Sequence, residues 1–370
     1  MADIGIITFH CADNFGAILQ VYALQQSLLK LEKYSEIIDF RPEYLTMRYD
    51  TNRNWKKLIN EIGIQKSINI LLDILKNHNS IKERMKAFKK FRNEKLILSN
   101  DTYYTNEELI KNPPNFKYYI TGSDQIWNPQ FFTKIGNSYF LDFANEQSTK
   151  ISYAASLAIN VDSSLKEFFQ NHLERFDFIS IRESEHLDFI QNTTQKPVAV
   201  TLDPTLLLDS SDWDKISKEP NIQDKYILVY DLIVDEELIK ITNRLVNEKD
   251  YKVISYSDSK LYKNYIKSFK YDGPSEFIGY IKKAEIILTN SFHGTVFSII
   301  YNKPFYTIPH KTRGSRMVDL LTTLCLENRL VNSNEELSEI YYNLEYKQAL
   351  NHLDKLKSDS LNFLKIALSK

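Results

Sequence analysis

The sequence predicts an α/β protein made of two doubly wound units that face one cleft. Three observations point there. Short apolar runs of strand length alternate with stretches of helical period, the pattern of parallel sheets covered by helices. The chain has 370 residues, 43% of them hydrophobic, which exceeds the needs of one small domain and is ample for two cores. One polar stretch, Ser210 to Asp224, breaks the periodicity and splits the series in two.

The elements follow in order. Ile4 to Phe9 is an apolar strand, and His10 to Gly16 is a loop. Ala17 to Leu31 is a helix, because Ile18, Val21, Tyr22, Leu24, Leu28 and Leu29 form one broad apolar face. Glu36 to Phe40 is the next strand, closed by Arg41-Pro42. This β-loop-α-β opening is the unit of a parallel sheet, and it makes the His10–Gly16 loop a candidate site wall. Residues 55 to 98 read as helical. Strands are expected at Lys117–Thr121, Lys150–Ala155, Phe178–Ile181 and Val198–Leu202, with a helix over Ser163–Phe176. The second series has strands at Tyr226–Tyr230 and Lys252–Tyr256, a helix over Asp235–Glu248, and a helix start at Gly273-Pro274. An apolar run ending at Thr289 leads through Asn290-Ser291-Phe292-His293-Gly294 into another helix, and Pro304–Ile308 is a strand. The expected units are 1–209, a linker over 210–224, and 225–340. C-terminal helices fill 341–370, and a return to the first unit is one option for them.

Charge and composition narrow the function. The formal net charge is -1, so no global field points to nucleic acid. The 23 Tyr and 21 Phe suit cores and also stack on sugars. The two cysteines, Cys11 and Cys325, form no disulfide framework or metal cluster, which suits a reducing compartment. Cys11 beside His10 is a poor nucleophile pair, because adjacent residues rarely face each other. The N-terminus lacks signal-peptide regions, and no apolar run reaches the roughly 18 residues of a membrane span. The expected location is the cytoplasm, with the inner face of the membrane as an option.

His293 is the first candidate for chemistry. It sits beside a fresh helix N-terminus, where unpaired N–H groups attract anions, and imidazole moves protons near neutral pH. Gly294 and Thr295 supply that helix start. Arg182 follows a strand and can pair bidentately with carboxylate or phosphate, or simply with Glu183 or Glu185. Arg313 and Arg316, with His310 and Lys311, form a basic loop that is either an anion clamp or a solvated surface. Asn14 and Gly16 are ligand contacts or turn residues. Ser123, Asp124 and Gln125 close a strand, as a hydroxyl-orienting group or as a helix cap. Trp127 is a sugar platform or a core residue. Ile81 to Leu96 carries Lys82, Arg84, Lys86, Lys89, Lys90, Arg92 and Lys95 around an apolar side. That basic amphipathic helix either touches a membrane surface or lipid phosphate, or packs solvated on the first unit.

Several blocks together resemble the polysaccharide pyruvyl transferases. They are Asn14-Phe15-Gly16-Ala17-Ile18-Leu19-Gln20 with Tyr22-Ala23-Leu24-Gln25, Gly122-Ser123-Asp124-Gln125-Ile126-Trp127-Asn128, and Tyr153-Ala154-Ala155-Ser156. Then come Ser180-Ile181-Arg182-Glu183, Asp203-Pro204-Thr205, Thr289-Asn290-Ser291-Phe292-His293-Gly294, and Ser315-Arg316 with Leu320-Leu321. They run in the family's order from about residue 3 to 330. The resemblance implies two Rossmann-like domains of GT-B type, acceptor side first and donor side second. It implies transfer of pyruvate from phosphoenolpyruvate to two hydroxyls of one sugar, giving a cyclic ketal on a surface polysaccharide or its polyprenyl-linked precursor. No cofactor and no metal are expected.

On that reading His293 and Asp124 are catalytic. Arg182, Arg316, Arg313, Ser291, Gly294 and Thr295 bind the donor. Asn14, Gly16, Ser123, Gln125 and Trp127 meet the acceptor. A branch of the family has an arginine where this chain has Ser291, so Arg182, Arg316 or Lys303 has to take up that charge, or the donor differs. A GT-B glycosyltransferase using a nucleotide sugar and a non-catalytic sugar-binding relative are the alternatives.

Overall fold

The computed structural model describes residues 2–46, 55–159, 161–257, 259–310, 314–331 and 346–369. Two parallel sheets organise them. The first holds β1 (Ile4–Ile7), β2 (Ser35–Phe40), β3 (Leu98–Tyr103), β4 (Tyr118–Gly122), β5 (Thr149–Ala155), β6 (Phe178–Ile181) and β7 (Val198–Val200), in the order β3-β2-β1-β4-β5-β6-β7. The second holds β8 (Tyr226–Tyr230), β9 (Lys252–Ser255), β10 (Tyr265–Ser268), β11 (Ile286–Thr289) and β12 (Phe305–Thr307), in the order β10-β9-β8-β11-β12. Every strand pairing is parallel, so each connection crosses over a face and both faces are covered. The two-domain α/β fold read from the sequence is the fold observed.

Strand order reverses between β1 and β4 in the first sheet, and between β8 and β11 in the second. At such a switch point the loops after two neighbouring strands run to opposite faces and leave a crevice at the carboxyl ends. The loops concerned are 8–14 and 123–128 in one domain, and 231–235 and 290–291 in the other. Both crevices open on the same cleft.

Local sequence explains the departures from expectation. The helical region 55–98 is two helices, Trp55–Ile62 and Ile64–Lys95, separated by Gly63 at φ 84°. Only glycine adopts that conformation at no steric cost. The longer helix has a non-helical residue at Asn77, φ -121°. It ends at Lys95, and polar Leu98–Tyr103 forms the edge strand β3. Within 210–224, Ser210–Asp214 is a capped helical turn whose Trp213 is wholly buried against Tyr22 and Phe297, at 5.7 and 4.8 Å between ring centroids.

An aromatic core joins the domains beneath the cleft. Phe15, at the start of the helix Phe15–Lys30, stacks on Phe277 of the second domain at 4.6 Å and 4°. Tyr230 and Phe269 close around the same pair. The helix Lys347–Ala367 bridges the halves. The Tyr346 hydroxyl, at its start, donates to the Lys303 carbonyl at 2.5 Å. Farther along, the Leu202 N–H donates to Ser360 Oγ at 3.0 Å, and Phe363 meets Tyr153 and Phe178.

Candidate active site

Two helix N-termini, one from each domain, meet in the cleft. Asn14 caps the helix Phe15–Lys30, its Oδ1 accepting from the Ala17 N–H at 3.1 Å. Ser291 caps the helix Phe292–Ile300, its Oγ accepting from the Gly294 N–H at 3.4 Å. Both starts point positive ends at the same space. The first turns touch: a Cβ on Gly16 would lie 2.0 Å from His293 Nδ1, so the imidazole rests on a floor only glycine provides. A cavity of about 270 Å³ opens there, walled by Asn14, Asp124, Gln125, Asn290, Ser291, His293, His310 and Arg316 among others. That volume lies just below the about 300–1,000 Å³ of typical ligand pockets, enough for a small anion or one sugar ring.

His293 crosses the domain boundary to Asp203. Its Nε2 stands 3.6 Å from Asp203 Oδ2, within ion-pair range but beyond a hydrogen bond. Asp203 follows β7 and is fully enclosed. Its Oδ1 accepts from the Thr205 N–H at 3.0 Å and hydroxyl at 2.6 Å, and its Oδ2 accepts from Arg182 Nη1 at 2.8 Å. Burial pushes the Asp203 carboxyl up. The charges of His293 and Arg182 and the hydrogen bond from Thr205 outweigh that and hold it well below the usual carboxylate range. Arg182 Nε donates to Glu183 Oε1 at 3.0 Å, and that oxygen also accepts from Ser156 Oγ at 2.6 Å. A chain of buried charge therefore runs from Glu183 through Arg182 and Asp203 to His293. The chain ends at the imidazole, 3.6 Å from the Asp203 carboxylate, and ties the ring to the first domain.

Asp124 lies in the wall at φ 69°, a strained conformation for a non-glycine residue. Its carbonyl accepts from the Ile126 and Ser156 N–H groups at 2.8 and 3.0 Å and its Oδ1 from the Gln125 N–H at 2.8 Å, which hold the turn where the residue lines the cavity. Gln125, with its side-chain oxygen turned to Arg316, accepts from both terminal guanidinium nitrogens at 3.1 and 3.2 Å. Arg182 and Arg316 both stack on Phe292, at 4.8 and 5.4 Å from the ring centroid.

The structure thus brings His293, Asp124, Arg316, Ser291, Asn14, Gly16 and Gln125 to one place. Others go elsewhere. Trp127 is not a sugar platform: it is wholly buried, stacked on Phe140 at 5.5 Å, and its indole N–H donates to the Tyr139 carbonyl. Ser123 is likewise buried, with its hydroxyl donating to the Ala154 carbonyl at 2.7 Å. Thr295 is fully buried and hydrogen-bonds Ser291 and Thr307, so it is no donor contact. Gly294 acts by packing, since a Cβ there would lie 2.4 Å from Thr289 Oγ1. Arg182 serves carboxylates within the protein and does not line the central cavity; it borders a smaller pocket shared with Phe292 and Arg316. Lys303 stands away from the cleft, and Arg313 and Lys311 lie outside the described residues.

Asp203 and Phe292 are the residues that reading for single side chains missed. An acid that ends a strand and precedes a proline-led turn was the available signal for Asp203. Asn290 was also missed. It ties its loop to Asp231, its amide nitrogen donating at 2.5 Å while its oxygen accepts from the Leu232 N–H at 2.8 Å.

No curated protein matches the chain. Among solved structures it is similar to a putative UDP-N-acetylglucosamine 2-epimerase from Listeria monocytogenes. Identity is 10% over 98% of this chain and 91% of that one, with a TM-score of 0.48. It is also similar to a Polygonum tinctorium UDP-glucosyltransferase, with 11% identity over 100% and 99% and a TM-score of 0.45. The Methanocaldococcus jannaschii UDP-GlcNAc 2-epimerase gives 12% over 96% and 99%, again at 0.45. At such scores the fold rests on the two sheets themselves. The family-level match is of another order: the model for polysaccharide pyruvyl transferase covers residues 14–312, from the cap of the first cleft helix past Asp203, His293 and His310. The chain belongs to the polysaccharide pyruvyl transferase family.

Proposed function

We propose that this chain transfers the pyruvyl group of phosphoenolpyruvate to two hydroxyls of one sugar, forming a cyclic ketal on a surface polysaccharide or its lipid-linked precursor. The observation that carries the reading is His293, set on a helix N-terminus in an inter-domain cleft and backed by the buried carboxylate of Asp203.

The chemistry asks for few parts. The donor's methylene carbon gains a proton, and the neighbouring carbon becomes cation-like. One sugar hydroxyl adds there and loses its proton. The C–O bond to phosphate then breaks, and the second hydroxyl closes the ring with loss of its own proton. His293 delivers the first proton and receives one back. Asp124, in the opposite wall, orients or deprotonates a hydroxyl. Arg316 and the two helix starts hold the donor's carboxylate and departing phosphate. Arg182 acts behind them, keeping Asp203 ionised and in place. Asn14 and Gln125 face the acceptor. Ser291 caps its helix instead of offering a charge, which leaves Arg316 as the guanidinium bordering this cavity among the described residues.

General acid–base catalysis contributes about 10²–10⁴-fold, so His293→Ala should lower ketal formation by about that factor while binding of phosphoenolpyruvate persists. Product mass and phosphate release from phosphoenolpyruvate with a panel of sugar acceptors provide the readout. Unimpaired ketal formation by His293→Ala removes the histidine's role. Binding of a nucleotide sugar, with none of phosphoenolpyruvate, replaces the reading with glycosyl transfer.

A further inference from the structure

The helix Ile64–Lys95 has a solvent-facing stripe that changes character along its length. Ile64, Ile68, Leu71, Leu72 and Leu75 recur at spacings of three and four, so they share one face. All are exposed, Ile64 at 65% and Leu75 at 70%. Beyond the non-helical Asn77, Lys82, Lys86, Lys89 and Lys90 recur at spacings of three and four and are also exposed. The opposite side holds the helix to the protein. Phe88 and Phe91 are buried, Arg84 donates to the Asp13 carbonyl at 2.6 Å, Arg92 meets Asp13 at 2.8 Å, and Lys270 of the second domain pairs with Asp73 at 2.9 Å. The stripe is therefore surplus to packing.

Its charge is concentrated. Residues 55–95 contain eleven Lys and Arg against four Asp and Glu, in a chain whose formal net charge is -1. Glu83 and Glu94 pair with Lys86 and Lys90 at the surface, so the four lysines of the stripe outnumber the carboxylates beside them. The stripe also leads to the cleft. Lys76 and Asn77 share one cavity with Leu232 and Val234, and Leu232 and Ile233 in turn border the central cavity. Leu232, Ile233 and Val234 are each about half exposed.

We propose that this stripe is a docking face for an anionic membrane. The Ile64–Leu75 half enters the headgroup boundary, the lysine half lies on acidic headgroups, and the Leu232–Val234 loop turns the cleft mouth toward the same surface. Apolar insertion combined with polybasic attraction is the requirement for reversible lipid binding. No helix among the described residues is long and apolar enough to cross a membrane, so the contact is one of lying on the surface.

Flotation of the full-length protein tests this with vesicles of phosphatidylcholine and phosphatidylglycerol, roughly three to one, against phosphatidylcholine alone. The wild type should float with the anionic vesicles and lose most of that binding at high salt. Leu72→Ser with Leu75→Ser should lower partitioning at least about tenfold, as should Lys82, Lys86, Lys89 and Lys90→Gln together, with melting temperatures unchanged because the side chains are exposed. Three results overturn the proposal. The wild type stays with the soluble fraction, or both variants float as well as it does, or sedimentation shows a dimer that Leu72→Ser with Leu75→Ser dissolves, which assigns the face to a second copy. The readout contains no sugar or phosphoenolpyruvate, so its failure leaves the pyruvyl-transfer reading untouched.

Discussion

Gly16→Ala is a small change with a large expected effect. The added Cβ would fall 2.0 Å from His293 Nδ1, 2.5 Å from Cε1 and 2.6 Å from Cγ. An ordinary contact needs about 3.5 Å, so the ring must retreat by about 1.5 Å. Because Cγ is among the clashing atoms, a ring flip does not relieve it. A misplacement of about 1 Å in a reacting group costs about 10²-fold in rate, or about 2.7 kcal/mol of barrier. The backbone does not oppose the change. Gly16 is in the first turn of a helix and outside the left-handed region, where Ala is favoured over Gly by about 0.5–1 kcal/mol. The expected outcome is a drop of about 100-fold in kcat for phosphate release from phosphoenolpyruvate with acceptor, and a melting temperature at or below the wild-type value. In a His293→Ala background the clash is gone, and Gly16→Ala should then stabilise. Wild-type kcat combined with a raised melting temperature in the single variant would falsify the packing of the imidazole on this loop.

Three further outcomes follow from the geometry. Asp203→Asn removes one partner of a buried charge set and should lower stability by about 3–5 kcal/mol near neutral pH. The Asp203 carboxyl is held low in the folded state, so its contribution is full above about pH 4 and is lost as pH falls below that. Wild-type and variant melting curves should therefore converge in acid, and parallel curves from neutral to acid sink the coupling. Trp127→Ala should cost about 3–5 kcal/mol in urea unfolding while leaving the acceptor KM of the folded fraction unchanged; a selective loss of acceptor affinity would restore its role as a platform. Burial, opposed by nearby Arg92 and Arg41, pushes the Cys11 thiol up to about 12, whereas Cys325 is exposed. One thiol should react with an aromatic disulfide reagent in the native protein and two in denaturant, and fast reaction of both natively contradicts the packing around Cys11.

The sequence made the strands with apolar runs legible, and with them the loops that follow β1, β4 and β11. Periodicity is a local signal, and those loops are where a parallel sheet places function. The edge strands β3 and β10 were not legible. Leu98–Tyr103 and Tyr265–Ser268 are mostly polar, and an edge strand needs one partner instead of two apolar faces. The polar stretch after Ser210 hid Trp213, because one tryptophan does not make a period. Pairings across the cleft were also hidden. Asp203 and His293 are 90 positions apart on different domains, and nothing local links Gln125 to Arg316. Trp127 shows the opposite limit, since residue type alone does not separate a platform from a core.

The helix Lys347–Ala367 gives the two halves a further connection besides the 201–225 segment and the Phe15–Phe277 core. It starts on carbonyls of the second domain and finishes against Leu202, Tyr153 and Phe178 of the first. A pair of bodies joined at one point can swivel in any direction, but attachments set far apart, here the aromatic core beneath the cleft and this helix, restrict the turn. Any opening of the cleft then has to turn against those separated attachments. Shortening the C-terminal helix would remove one of those attachments and blur the registration of Asp203 on His293 without touching either residue.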